Sequence, residues 1–398
     1  MSINLFRKGF FMAASALLLA ACTEVVDEGN LQNTGSGVLM TKVINTPSAS
    51  VEGTLLLCLT EDAAQLLASG DMSLREQFSA EVDLKTLEPV FAITPGKEDV
   101  ARKHNLHKWF KVEFDGVSNT AAAAKLASFA SVVTVQYDKV VSPASDLEFT
   151  PYRPSLAQMS SDEDFPFDDP MLVDQWHYIN TGSSHVSNSS YEGGDLAVKD
   201  AWRLTGGDRR VVVAVIDGPI KYNHPDIAPN MWKNEGEVPG NNVDDDKNGY
   251  VDDVYGWNCV RNTGNIDWSN RSESGHGTHV AGIVAAANGN GIGVCGVAGG
   301  TGKGDGVRMM SLQIFEGGAS TLDASAKAFV YAADNGASIA QCSFGYEGEG
   351  SAYKSDKDYS RVFGAEYDAI RYFMDPENNN SEILDGNIVV AAAGNDGR

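Results

Sequence analysis

VVVAVID, residues 211–217, is an unbroken apolar run, mostly β-branched, closed by a carboxylate. Neither face of such a strand is polar, so both must be covered, as happens in a parallel sheet between layers of helices. Helical and strand patterns alternate after it. They predict a helix over 276–287, a strand over 307–315, a helix over 321–335, a strand over 338–344, a helix over 360–374 and a strand over 387–393. The fold class implied for residues 170–398 is α/β, a parallel sheet with helices on both faces. Sheets of this kind place their chemistry just beyond the carboxyl ends of the strands, which draws attention to Asp217.

Toward the N-terminus the periodicity changes. Residues 51–59 read as a strand, 63–68 as a short helix opened by Thr60-Glu61-Asp62, 89–93 as a strand, 109–114 (WFKVEF) as an alternating strand, 120–129 as an Ala-rich helix and 132–137 as a last strand. The order β-α-β-β-α-β is that of the ferredoxin-like motif, so residues 51–141 are expected to form a small α+β domain. Residues 142–169, rich in Ser, Pro and Asp, read as a linker, and residues 22–50 as a polar tether. Before them, Arg7 and Lys8 precede a short apolar run, 9–19, too short to span a bilayer and shaped like a secretory signal. The run ends in Leu19-Ala20-Ala21-Cys22, which resembles a lipoprotein box. That resemblance implies cleavage after residue 21, lipid on Cys22, and an extracytoplasmic place on a bacterial cell envelope.

Fifty-four acidic against 30 basic residues give a net charge of −24, and no Lys/Arg stripe is present to neutralise phosphates, which argues against nucleic acid as a partner. Cys58, Cys259, Cys295 and Cys342 show no disulfide framework in their spacing.

Three blocks carry a more specific signal. VVVAVIDGP (211–219) followed by HPDI (224–227), and GHGTHVAGIVAA (275–286), resemble the Asp and His blocks of the subtilase family, although Gly218-Pro219 stands where a small hydroxyl residue and Gly are usual. IVVAAAGNDG (388–397) resembles the family's oxyanion block, and Ser343-Phe344-Gly345 its substrate-binding strand. The resemblance implies a serine endopeptidase in which His276 is the general base, Asp217 its partner and Asn395 the oxyanion donor. It also implies that the positive end of the helix over 276–287 helps keep the imidazole neutral. A small domain between a signal and such a unit resembles the family's propeptide, which assists folding and then inhibits. Polypeptides and the chain's own propeptide are thus the implied partners.

Calcium is the implied cofactor. Asp226, Asn290 and the carbonyls of Ile292 and Val294 match positions that form a structural calcium site in many subtilases. Independently, Asp244, Asp246, Asn248 and Asp252 alternate around Gly249 as in an EF-hand loop, with Tyr255 where the terminal Glu would stand. The block that would carry the serine, of the Gly-Thr-Ser-Met-Ala type, does not occur in the 398 residues. The nucleophile is therefore expected beyond Arg398, and the chain as given is expected to be inactive. Two rivals stand beside this reading: a non-catalytic calcium-binding envelope lipoprotein, and a metallohydrolase using His276, His279 and Asp217.

Overall fold

A computed structural model describes residues 42–143, 166–182, 190–317, 320–346, 355–379 and 381–394. The signal, Cys22, most of the 142–169 linker and Asn395 lie outside the described residues.

The N-terminal unit opens with β1 (Val43–Ile44) and β2 (Ser50–Leu59), so the ordered part starts inside the stretch expected to be a tether. Helix α1 (Glu61–Ala68) follows where predicted. Thr60 caps it, its side chain accepting from the Ala63 N–H, while Glu61 and Asp62 sit in the first turn, where the peptide dipoles favour anions. Then come α2 (Ser73–Ser79), β3 (Asp83–Pro89), α3 (Glu98–Lys103), β4 (Trp109–Asp115), α4 (Asn119–Ala127) and β5 (Val132–Pro143). The sheet order is β1-β5-β2-β4-β3, and its last four strands pair antiparallel, the ferredoxin-like arrangement. Ala122, Ala123 and Leu126 of α4 pack on Leu55, Leu57, Val112 and Phe114 of the sheet. The expected strand over 89–93 is displaced: the edge strand is the more polar Asp83–Pro89, while Val90 and Phe91 are buried against the second unit. Their apolarity serves that contact and not the ladder.

The second unit contains α5 (Val198–Trp202), β6 (Val212–Asp217), β7 (Gly256–Asn258), α6 (Arg271–Ala285), β8 (Arg308–Gln313), β9 (Ser320–Thr321) and α7 (Leu322–Asp334). It continues with β10 (Ile339–Cys342), β11 (Phe344–Tyr346), α8 (Asp356–Ser360), α9 (Gly364–Phe373) and β12 (Ile388–Ala391). A parallel sheet runs β12-β10-β6-β8-β7, with β6 buried along its length. Val212, Ala214 and Ile216 join a core with Phe329 of α7 and Phe373 of α9, whereas Val213 and Val215 pack with Val280, Ala281 and Ala285 of α6. Both faces are covered, as the apolar run required.

Three boundaries differ from expectation. Helix α6 begins at Arg271 with Asn270 as its cap, which places His276 in the second turn. The helix expected over 360–374 is two helices, parted around the buried Phe363. The strand expected over 338–344 breaks at Ser343, after which β11 leaves the parallel sheet to pair with β5 of the first unit. Residues 142–143 accordingly belong to β5 and not to a linker. At the linker's other end, Asp169 is fully buried against the second unit.

Candidate active site

Asp217 ends β6, is fully buried, and accepts from the Gly218 N–H (2.6 Å) through Oδ1. The same oxygen lies 2.6 Å from Nδ1 of His276. Two glycines make this contact feasible. A Cβ on Gly277 would stand 2.0 Å from the Gly218 carbonyl oxygen, and one on Gly218 would stand 2.4 Å from that of Glu273. The backbone of α6 and the turn after β6 thus approach more closely than side chains permit. Gly218 replaces the hydroxyl residue usual at this place, and Asp217 Oδ2 has no hydrogen-bond partner among the described residues.

Burial and the hydrogen bond act on this pair in opposite directions. Burial pushes the Asp217 carboxyl upward against the pull of His276, and the bond to Asp217 raises the His276 imidazole against burial. The 2.6 Å separation fits an ionised carboxylate accepting from an imidazole whose proton is placed on Nδ1. The expected help from the helix's positive end is not realised, because His276 lies beyond the first turn and that field fades within it. Among the described residues, one group of three His, Cys, Asp or Glu residues converges closely enough for a metal ion, and it is Glu237, Asp244 and Asp246. Asp217, His276 and His279 do not form such a group.

Phe344 and Gly345 fall within β11, and Ser343 immediately precedes it. Phe344, Gly345 and Tyr346 of β11 face Pro143, Ser142 and Val141 of β5, antiparallel, while Val140 and Val141 face Thr321 and Ser320 of β9 on the other side. The chain's own residues 140–143 therefore form the middle strand between β9 and β11. Ser343 accepts from Gln341 Nε2 (2.9 Å).

The loop after α6 folds around Asp226. Its buried carboxylate accepts from Asn290 Nδ2 (2.8 Å) and the Val294 N–H (2.9 Å), and Asn290 Oδ1 accepts from the Ile292 N–H (2.9 Å). Sequence reasoning missed Asp169, a second buried carboxylate on this loop, which accepts from the Gly289 N–H (2.7 Å) and Cys295 Sγ (3.3 Å). No local pattern marks Asp169; its partners lie over a hundred residues away. Burial, then the charge of Asp169, push Asp226 upward. Two buried acids on one loop are a donor set that suits a hard cation.

The acidic loop is arranged differently from the expected ligand set. Glu237, Asp244 and Asp246 offer carboxylate oxygens within 4.8 Å of one another. Asp252 instead turns to the N–H groups of Gly240 (2.7 Å) and Asn242 (2.9 Å). Asn248 donates to Asp253 (3.0 Å) and Asn335 (3.1 Å). Glu237 thus enters where Asn248 and Asp252 were expected. Cys58, Cys259, Cys295 and Cys342 are buried and form no disulfide among the described residues.

A parallel sheet covered on both faces, with an Asp–His pair at the end of its central strand, defines a subtilisin-like α/β fold. Residues 208–398 match the model of the Subtilase family (Peptidase_S8). Subtilisin-like protease 1 of Plasmodium vivax is 50% identical over 88 residues, 22% of this chain and 13% of that protein. The thermophilic serine proteinase of Bacillus sp. (strain AK1) is 29% identical over 198 residues, 50% of this chain and 36% of that one. This chain thus spans well under half the length of either relative. Fervidolysin from Fervidobacterium pennivorans, a keratinolytic enzyme related to subtilisin, shares the fold with a TM-score of 0.50 at 17% identity, over 89% of this chain and 41% of its own.

Proposed function

We propose that the chain belongs to the precursor of a serine endopeptidase, and the 2.6 Å bond between Asp217 Oδ1 and His276 Nδ1 carries this reading. With its proton held on Nδ1, the imidazole offers Nε2 as a base, and Asp217 stabilises the cation formed when that base takes a proton from a serine hydroxyl. The serine would stand in a longer form of the chain, and Asn395 would donate its amide to the oxyanion. The first unit acts as an intramolecular inhibitor. Its residues 140–143 fill the strand position a peptide substrate would take, with main-chain pairing giving affinity. Maturation is then a cut of the chain's own backbone between Pro143 and Asp169. The experiment is to express a form that includes a Gly-Thr-Ser-Met-Ala type block and sequence the new N-terminus. A product starting in that window is expected, and a serine-directed reagent should label the matured enzyme; an uncut, unlabelled chain would refute the reading.

Calcium is proposed at two places, Asp169 and Asp226 with the 289–294 loop, and Glu237, Asp244 and Asp246. An ion that binds only the folded state stabilises it by mass action, by about 2.7 kcal/mol at a hundredfold excess over Kd. Chelator should lower the unfolding midpoint and added calcium restore it. An unmoved melting curve would count against both sites. Cys22 is proposed as a lipid anchor to the cell envelope, so Cys22→Ser should move the protein from the membrane to the soluble fraction; unchanged partitioning would remove this part.

A further inference from the structure

The first unit supplies the N-caps that α7 and α9 lack. Thr321 before α7 and Phe363 before α9 make no side-chain cap bond. Instead Asp138 Oδ1 accepts from the Asp323 N–H (3.2 Å), and Gln136 Oε1 accepts from the Ala365 N–H (3.1 Å). A neutral amide serves at α9. At α7 the cap is a carboxylate, and it faces a second one, Asp323. The two are 0% and 2% exposed.

Every charged neighbour of this contact can be named. Lys111 of β4 lies 3.4 Å from Asp138 Oδ2 and 3.2 Å from Asp323 Oδ1, and Lys327 of α7 lies 2.8 Å from Asp323 Oδ2. Thr321 of β9 donates to Asp323 Oδ1 (2.5 Å). The Cys259 thiol nearby is kept neutral, pushed up to about 12 by burial. Lys139, next to Asp138 on β5, faces away, toward Ser48 O and Thr46 Oγ1. Asp323 therefore has both oxygens satisfied by cations and a hydroxyl. Asp138 Oδ2 has no aligned hydrogen bond.

We infer that the Asp138–Asp323 contact carries one proton while the two units are docked, so that acid holds the first unit in place and neutral pH loosens it. Burial and the charge of Asp323 outweigh Lys111 and push Asp138 up to about 7. Burial also opposes charge on Asp323, but Lys327 and Lys111 outweigh it and hold Asp323 well below the usual range. In a separated unit Asp138 faces water and returns to about 4. An acid whose value is higher when docked takes up a proton on docking. Docking is accordingly tightest near pH 4 and weakens as pH rises toward about 7, with a slope of at most about tenfold per pH unit for one proton. Below about pH 4 the depressed Asp323 acts in the opposite sense, because the separated units take up a proton there that the docked pair resists. For the inhibitor role this consequence rests on the protease reading; the proton itself does not.

The test uses the 398-residue chain. Hydrogen exchange at the first turn of α7 and along β5, corrected for intrinsic rates, should speed up between pH 5 and pH 7 by several-fold per pH unit. Asp138→Asn, neutral at every pH and able to accept the same bond, should remove one proton's share of that slope and slow exchange at pH 7. The slope that remains belongs to Asp368 and Asp334, which bond Trp109 and Thr94 of the first unit and are pushed up by burial to about 7 and about 6. A flat parent, or a variant that keeps the parent's full slope, overturns the inference. If that variant fails to fold, infrared titration of the parent against Asp138→Ser decides, since burial also pushes Asp334 up to about 6 and Asp368 up to about 7. A protonated carboxyl band present in the parent at pH 5, lost by pH 8 and missing from Asp138→Ser supports the proton, and matching spectra of the two at pH 5 remove it. Neither readout involves peptide hydrolysis, so a failure of the protease reading is told apart from a failure here.

Discussion

His276→Ala, in a form of the chain that carries the serine, is expected to stop both self-processing and peptide hydrolysis. In subtilisin itself the base is worth about 10⁶-fold in turnover, and members of one triad act as a unit, so combining the change with loss of the serine should cost little more. Asp217→Asn should cost about 10⁴-fold, because an amide no longer holds the imidazole proton on Nδ1. The pH profile separates the two roles. A general base must be neutral, so activity falls as pH drops through the His276 value, which the Asp217 bond raises above that of an ordinary imidazole. In Asp217→Asn that support is gone and burial remains, so the acidic limb of the residual activity should move to lower pH. Initial rates of peptide cleavage against pH measure this, and a limb that stays in place would mean that Asp217 does not set the charge of His276.

Gly277→Ala should damage both stability and activity, because the crowding falls on the backbone that holds the Asp217–His276 pair. Its Cβ would lie 2.0 Å from the Gly218 carbonyl oxygen and 2.6 Å from the carbonyl carbon, backbone atoms that cannot swing aside as a side-chain tip can. Relief requires α6 to move away from β6, and that movement parts Asp217 from His276. Overpacking of this kind costs about 3 kcal/mol. Thermal unfolding of the 398-residue chain should show the loss, and in the serine-bearing form activity should fall further than stability does. A variant as stable as the parent would show that the helix can shift freely and that the close approach does not hold the pair together.

Much of the second unit could be read from local pattern. An apolar, β-branched run at 211–216 is buried on both faces because no residue in it tolerates water, and Asp217 sits at its end for the same reason that such strands stop there. The segments around β8 and α7 were recognisable because their apolar residues are the buried ones, whereas β12 was legible from its apolar run alone and is largely exposed. The helix boundary at Arg271 was missed because the residues before the His block are polar and small, and Asn270 alone caps them.

Other features have no local cause. Val90 and Phe91 resemble a strand in sequence yet spend their apolar surface on the other unit. Asp169 and Glu237 lack a marking pattern, because each becomes significant only when a distant loop brings backbone N–H groups or other carboxylates to it. The same holds for Asp138, an ordinary polar residue in a strand until α7 arrives with a second acid. By itself the sequence determined the parallel sheet, the order of its strands along the chain and the Asp and His blocks, since these depend on side-chain polarity at short spacing. Tertiary structure alone decided which strand fills the groove between β9 and β11, which acids converge and which carboxylate is left short of partners. Those outcomes depend on contacts between residues far apart in the chain, where burial and charge act through space.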